Sequence, residues 1–257
     1  MSNFEFLLII FLFNSFALSL LIYRAINKKS PRVLLKFFFL PPLLGAFISI
    51  IIQWNIQFSE ISYRQLLGNI IFIAWCIKSF NSYKFLKALL LDEFLSFVRE
   101  NITKKQFFKL LMGILKISFF QIMCFSSVFA LNYLSGYSGL NSLDILGITL
   151  CIAGLSLEII SEKEIKLNSG KGFIKSGLWS YVRHPNITGI ILVLLGLQTL
   201  ALGAVGSEWS IIGFIILIWI INKRLIPNIE KRLLSKFPEY ISYMDTMPKL
   251  ITFKKIN

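Results

Sequence analysis

Most side chains in this sequence that could do chemistry fall between residues 158 and 243, in three short stretches. The first is "EIISEKE", with Glu158 and Glu162 one helical turn apart and Glu164 just beyond. Glu158 lies inside an apolar run, where a charged residue at the centre of a spanning helix costs about 2.5–3.5 kcal/mol. It must turn into the protein, either to pair with a lysine or to hold a hydroxyl or amine of a cofactor.

The second stretch, "GLWSYVRHPNITG", runs from Gly177 to Gly189 and contains the only histidine, His184. Pro185 suits the first turn of a helix, because the N–H it lacks would be unsatisfied there anyway. The free N–H groups of that helix start, with Arg183 and His184 beside them, make a candidate anion site. Asn186 adds a hydrogen-bonding amide, and Gly189 would let a ligand approach the backbone one turn in. The same residues also read as a basic membrane anchor closed by a proline, with Trp179 and Tyr181 in the headgroup layer.

The third stretch, "NIEKRLLSKFPEYISYMDTMPKL", reads as an amphipathic surface helix followed by an aromatic-rich segment. Glu230 sits among Lys223, Arg224, Lys231 and Arg232, where it could hold a charge network. Tyr240 and Tyr243 are spaced to share one helical face, as ligand contacts or as interfacial anchors. Cys76, Cys124 and Cys151 show no metal-ligand or CxxC spacing, so no metal is expected and the thiols read as small buried apolar groups.

The elements that must position these residues follow from composition. The 257 residues are 56% hydrophobic and include 25 phenylalanines, more apolar sequence than a soluble domain of this length needs. Seven apolar runs approach the length of a bilayer-crossing helix: about 4–23, 37–53, 65–80, 110–133, 144–161, 186–204 and 209–222. Pro41 and Pro42 set the start of the second run or kink it. The fold class is therefore an all-α integral membrane protein of about seven transmembrane helices.

Charge orients it. Arg24, Lys28, Lys29, Arg32 and Lys36 fall between the first two runs, and Lys84, Lys87, Arg99, Lys104, Lys105 and Lys109 between the third and fourth. Lys163, Lys166, Lys171, Lys175 and Arg183 follow the fifth, and the C-terminal segment is lysine-rich. The alternate connections hold only Arg64. Positive charge marks the cytoplasmic side, which puts the N-terminus outside and the C-terminus in the cytoplasm. Anionic headgroups then account for the net charge of +14 without a nucleic-acid partner. "MSNFEF" carries no base before the first apolar run, so that run is expected to be retained as a span rather than removed as a signal peptide. Residues 1–257 read as one polytopic domain, with 1–140 the less characteristic part and 141–257 the cofactor-binding half. Apart from Glu158 the spans show little mid-membrane polarity, which speaks against a transporter.

"GLWSYVRHPN", preceded by "EIISEKE" and followed by "EKRLLSKFPEYISYMDTMP", resembles the C-terminal half of steroid 5-alpha-reductase-like membrane proteins, their bacterial subgroup above all. That pattern has an E-x-x-x-D-x-Q step, then G-L-W-x-Y-x-R-H-P-N-Y-x-G-E, then Y-x-x-Y. Glu158, Glu162 and Glu164 take the first step, with glutamates for its acid and amide; Gly177 to Gly189 take the second, and Tyr240 and Tyr243 the last. Trp75 with Lys78, Asp92 with Arg99, and Gln121 are weaker echoes upstream. Ile187 and Ile190 stand where the pattern has tyrosine and glutamate, and Phe94 and Leu95 replace an upstream arginine–tyrosine step. The R-H-P motif and C-terminal layout are also similar to isoprenylcysteine carboxyl methyltransferases.

The resemblance implies a cofactor bound between the last spans near the cytoplasmic face. Glu158, Glu162, Trp179, Tyr181, Arg183, His184, Asn186, Gly189, Glu230, Tyr240 and Tyr243 are the expected cofactor-binding residues. In the reductase branch the cofactor is NADPH and the substrate an apolar steroid- or isoprenoid-type enone reached from the lipid. In the methyltransferase branch the same site holds S-adenosylmethionine. A non-catalytic protein keeping the fold is the third reading. The expected partners are membrane lipids and a lipophilic small molecule, in a prokaryotic cell inner membrane.

Overall fold

The computed structural model describes residues 2–27, 40–57, 61–81, 100, 106–134, 139–168 and 172–250. Asp92, Phe94, Leu95, Arg99 and the basic residues Lys28, Lys29, Arg32, Lys36, Lys84, Lys87, Lys104, Lys105 and Lys171 lie outside the described residues. Every regular element among the described residues is a helix: α1 (Asn3–Asn27), α2 (Leu40–Gln57), α3 (Tyr63–Asn81), α4 (Phe107–Cys124), α5 (Ser126–Leu134), α6 (Ser142–Leu167), α7 (Pro185–Leu202), α8 (Ser210–Ile220), α9 (Ile226–Lys236) and α10 (Tyr240–Thr246). Five described stretches are long and apolar enough to cross a membrane: Phe4–Arg24, Phe107–Cys124, Ser142–Leu167, Pro185–Leu202 and Ser210–Lys236. The second of the expected runs forms a shorter apolar helix, Leu40–Asn55.

The third expected run lies in α3, which is not among the five, and the fourth and seventh come out with different bounds. The fourth, read as one run over 110–133, breaks at Phe125 between α4 and α5. Gly213 of α8 meets the broken turn, where an added Cβ would overlap the Met123 carbonyl and the Ser126 hydroxyl. The Ser126 hydroxyl donates to the Ser210 carbonyl, 2.9 Å away, so it is satisfied outside its own helix. Serine pairs such as Ser126–Ser127 are a recognised cause of kinks. The seventh run does not end near 222. It passes through a π-helical turn, Ile221–Leu225, into α9. Pro227 lacks the N–H that a regular turn would use, and the wider turn absorbs the mismatch.

The tightest packing joins α6 to α7 in antiparallel register. Gly147 meets Gly196, and Gly154 meets Gly189; a Cβ on Gly154 would come within 2.6 Å of the Gly189 carbonyl and the Val193 nitrogen. Small residues at two-turn spacing on both helices let the backbones touch, a common means of association where lipid removes the hydrophobic drive. The close approach carries Glu158 against the first turn of α7, because the Glu158 backbone nitrogen and Cβ are what a Gly189 side chain would hit.

Polar side chains collect where α2 and α5 end and α3 begins. Asn69 and Asn132 exchange side-chain amide bonds of 2.6 and 3.1 Å, and Gln65 donates to Gln53 and to the Asn132 carbonyl. Neutral amides scattered singly through apolar sequence look inert until the helices converge, when they join α2, α3 and α5. Arg64, the one base expected on the outer side, is fully buried and makes a bidentate pair with Asp144 at 2.6 and 2.8 Å. Asp144 also caps α6 through a capping box with Asn141, so Arg64 leaves no free positive charge at that end of the helices.

Candidate functional site

Two polar clusters form where α3, α6, α7, α9 and α10 come together. The first surrounds Glu158, which is 3% exposed. The Trp75 indole N–H donates to its Oε2 over 3.0 Å, and the Lys78 ammonium pairs with its Oε1. Lys78 also donates to Glu162 Oε1 at 2.6 Å. One ammonium thus serves two carboxylates, and the lysine expected beside Glu158 comes from α3, some 80 residues away in sequence. A buried carboxylate with a cation and an indole donor is in a well-satisfied geometry.

The second cluster is built on the segment leading into α7. Glu164, near the end of α6, accepts from the Leu178 backbone N–H with both oxygens at 3.3 Å. Gly177 takes φ +67, a left-handed conformation open to glycine, so the chain can turn there into the short 3-10 helix Gly177–Ser180. The Arg183 N–H donates to the Pro248 carbonyl at 2.9 Å, and the Tyr243 hydroxyl donates to the Trp179 carbonyl. These bonds clamp α10 and its C-terminal turn over the start of α7.

Glu230 enters this clamp from α9. Its Oε1 lies 2.9 Å from Arg183 Nη1 and 3.0 Å from His184 Nε2, and all three side chains are buried. The π turn positions it: α9 buries Ile226 and Glu230 and leaves Lys231 and Arg232 exposed. Phe173 packs edge-on against Tyr240 with ring centroids 5.1 Å apart and tilted against Tyr243 at 5.6 Å, and the Lys175 ammonium lies over the Phe173 ring, 4.6 Å from its centroid. Burial, with Glu230 adding to it, pushes the Tyr240 phenol well above its usual range, and burial pushes Tyr243 up to about 12. Both phenols are therefore neutral donors at ordinary pH.

Several polar atoms here are buried and have no hydrogen-bond partner among the described residues: Trp179 Nε1, Arg183 Nε and Nη1, Asn186 Oδ1 and the Tyr240 hydroxyl. Arg183 Nη1 is close to Glu230 but poorly aligned for a hydrogen bond, so the contact is an ion pair with unused donor capacity. Buried polar groups are normally paired, so a local concentration of unpaired ones on two adjoining segments makes this a candidate ligand site. Donors outnumber acceptors, which suits the phosphate oxygens of a nucleotide or a carboxylate.

The expected site residues divide accordingly. Trp179, Arg183, His184, Asn186, Glu230, Tyr240 and Tyr243 gather at one mouth, and Glu158 with Glu162 forms the neighbouring cluster around Lys78. Tyr181 is 75% exposed and contributes nothing to either. Gly189 does not open the backbone to a ligand: its bare face is filled by Gly154 and Glu158, so its smallness serves helix packing. Ile187 and Ile190 are buried in the core. Residues without a sequence motif complete the mouth, notably Phe173 and the Pro248 carbonyl; aromatic spacing hints at the first, and nothing local could flag the second.

A family model described as protein of unknown function (DUF1295) matches residues 43–247. No curated protein matches, and no solved structure matches.

Proposed function

The chain belongs to the DUF1295 family, which is related to steroid 5-alpha-reductase-like proteins, and on that footing we propose that it is a membrane reductase. It uses NADPH to reduce an apolar, lipid-like enone of steroid or isoprenoid type. The observation that carries this reading is the set of unpaired buried donors at Trp179, Arg183 and Tyr240. NADPH, when bound, supplies the hydride. Arg183 and the start of α7 would hold its phosphates, Tyr240 and Trp179 would orient it, and Asn186 Oδ1 would accept a hydrogen bond from one of its hydroxyl or amine groups. His184, held against Glu230, keeps the mouth in register rather than moving a proton.

One observation favours the alternative cofactor. Arg183 and Glu230 present a cation and an anion side by side, which complements the zwitterionic amino-acid end of S-adenosylmethionine and would make the protein a methyltransferase. A thermal-shift titration of the detergent-purified chain with each cofactor separates the two. A ligand binding only the folded state at a hundredfold excess over Kd stabilises it by about 2.7 kcal/mol. A shift with NADPH supports the reductase, and a shift with S-adenosylmethionine alone replaces it. Arg183→Ala and His184→Ala leaving either shift intact would refute the shared anion site.

The proposal includes the topology read from charge: seven crossings, with an outer N-terminus and a cytoplasmic C-terminus, in a prokaryotic inner membrane. Ser2→Cys and Glu239→Cys should then react with an impermeant thiol reagent from opposite sides of sealed vesicles. Labelling of both from the same side refutes the odd number of crossings.

A further inference from the structure

Helices α1 and α4 carry a second group of unpaired polar atoms, and they belong to neither cluster described above. Asn14 is 1% exposed and Ser118 is 0% exposed, in the middle of long apolar helices, and Ser15, the next residue after Asn14 on α1, is more than nine-tenths buried. The Asn14 amide nitrogen is engaged, donating to Gln121 Oε1 at 2.9 Å and to the Ser118 carbonyl at 3.4 Å. Its Oδ1 has no partner among the described residues, and neither does the Ser15 or the Ser118 hydroxyl.

The hydroxyls are unusual within this molecule. A serine or threonine in an apolar helix ordinarily rests on the carbonyl one turn back. Ser19, Ser49, Thr149 and Thr199 all do so here, at 2.7–2.8 Å. Ser15 and Ser118 have the same option and do not take it, so their hydroxyls remain available, that of Ser118 at the seam where Asn14 meets α4 and that of Ser15 one residue along α1. Lipid tails cannot satisfy any of these atoms.

We infer that this seam binds the hydroxyl end of a lipophilic alcohol dissolved in the bilayer. The donor and acceptor inventory selects the chemistry. Asn14 Oδ1 only accepts, and each serine oxygen can donate. A ligand hydroxyl donates its proton to Asn14 Oδ1 and accepts from a serine, which satisfies both kinds of atom at once. A ketone or aldehyde could only accept and would leave Asn14 Oδ1 unpaired. A carboxylate or ammonium would bring a charge among Ile10, Leu18, Ile114 and Ile122, all buried on the same two helices. This inference does not rest on the cofactor reading of the cytoplasmic mouth.

The test uses the full chain in detergent with three probes of equal chain length: tetradecanol, tetradecanal and tetradecane. Partition into the micelle is common to all three, so a difference reports the polar end. Tetradecanol should raise Tm more than the aldehyde or the alkane. Ser15→Ala with Ser118→Ala should abolish that excess, while Ser49→Ala, which removes a hydroxyl already bonded to Gly45, should leave it intact. Should the double variant fail to fold, the single variants and the wild-type series decide. Equal shifts from the three probes, or an alcohol shift that survives loss of both hydroxyls, overturn the inference and leave a bound water as the occupant. The NADPH titration is independent: an alcohol-specific shift with no NADPH shift would refute the reductase and keep this site.

Discussion

Glu230→Gln discriminates between the two cofactor readings because they assign its charge opposite effects. Glu230 Oε1 sits 2.9 Å from Arg183 Nη1 and 3.0 Å from His184 Nε2, in the position an incoming anion would want. A phosphate oxygen taking either donor would lie roughly 5 Å from the carboxylate, where two unit charges repel by about 3 kcal/mol at an effective dielectric of about 20. Arg183 and mobile ions screen about half of that, so removing the charge should tighten NADPH binding about tenfold. For S-adenosylmethionine the same change deletes the partner of its ammonium, worth about 1.5–3 kcal/mol, and should weaken binding about 10- to 100-fold. Calorimetric titration of wild type and variant at one ionic strength measures both. Glutamine keeps an oxygen for His184 but leaves the buried Arg183 cation without its counter-charge, so Tm should also fall, by the equivalent of about 3–5 kcal/mol, unless a bound anion replaces the carboxylate. If affinity for either cofactor that binds wild type is unchanged in the variant, Glu230 does not border the ligand and the mouth has been misread.

Further outcomes test the surrounding structure. Lys78→Met should destabilise the protein by about 3–5 kcal/mol, since it strands the buried Glu158 carboxylate; adding Glu158→Gln should restore much of that, and simple additivity of the two changes would argue against the pair. Gly154→Ala forces a Cβ to within 2.6 Å of two backbone atoms of α7 and should lower stability by about 2–3 kcal/mol, visible as a lower Tm. Gly139→Ala, with nothing near its added Cβ, is the matching control. Tyr243, raised to about 12 by burial, has a folded-state pKa above its unfolded value near ~10. Its contribution is therefore complete below pH ~10 and lost as pH rises toward ~12. Tyrosinate absorbance in an alkaline titration should appear late for this residue, and a Tyr243→Phe variant that leaves the late phase unchanged would contradict the assignment.

The local sequence determined the helical class, the placement of the apolar runs and the gathering of Arg183, His184, Glu230, Tyr240 and Tyr243 in the C-terminal half. Apolar run length and helix-start chemistry are properties of neighbouring residues, so they are legible without a fold. The partner of Glu158 was not legible in that way: a carboxylate in an apolar run demands a cation, but only the packing of α3 against α6 decides that Lys78 supplies it. The same is true of Gly189, whose missing side chain suits a ligand or a helix equally well until α6 fills the space. The break at Phe125 fits against Gly213 of α8, whose missing side chain leaves room for the turn, and the amides of α2, α3 and α5 acquire meaning only by meeting. In lipid every helix is apolar on most faces, so periodicity does not mark which side turns inward. Those faces are chosen by contacts between residues far apart in sequence, which is why they belong to the tertiary structure.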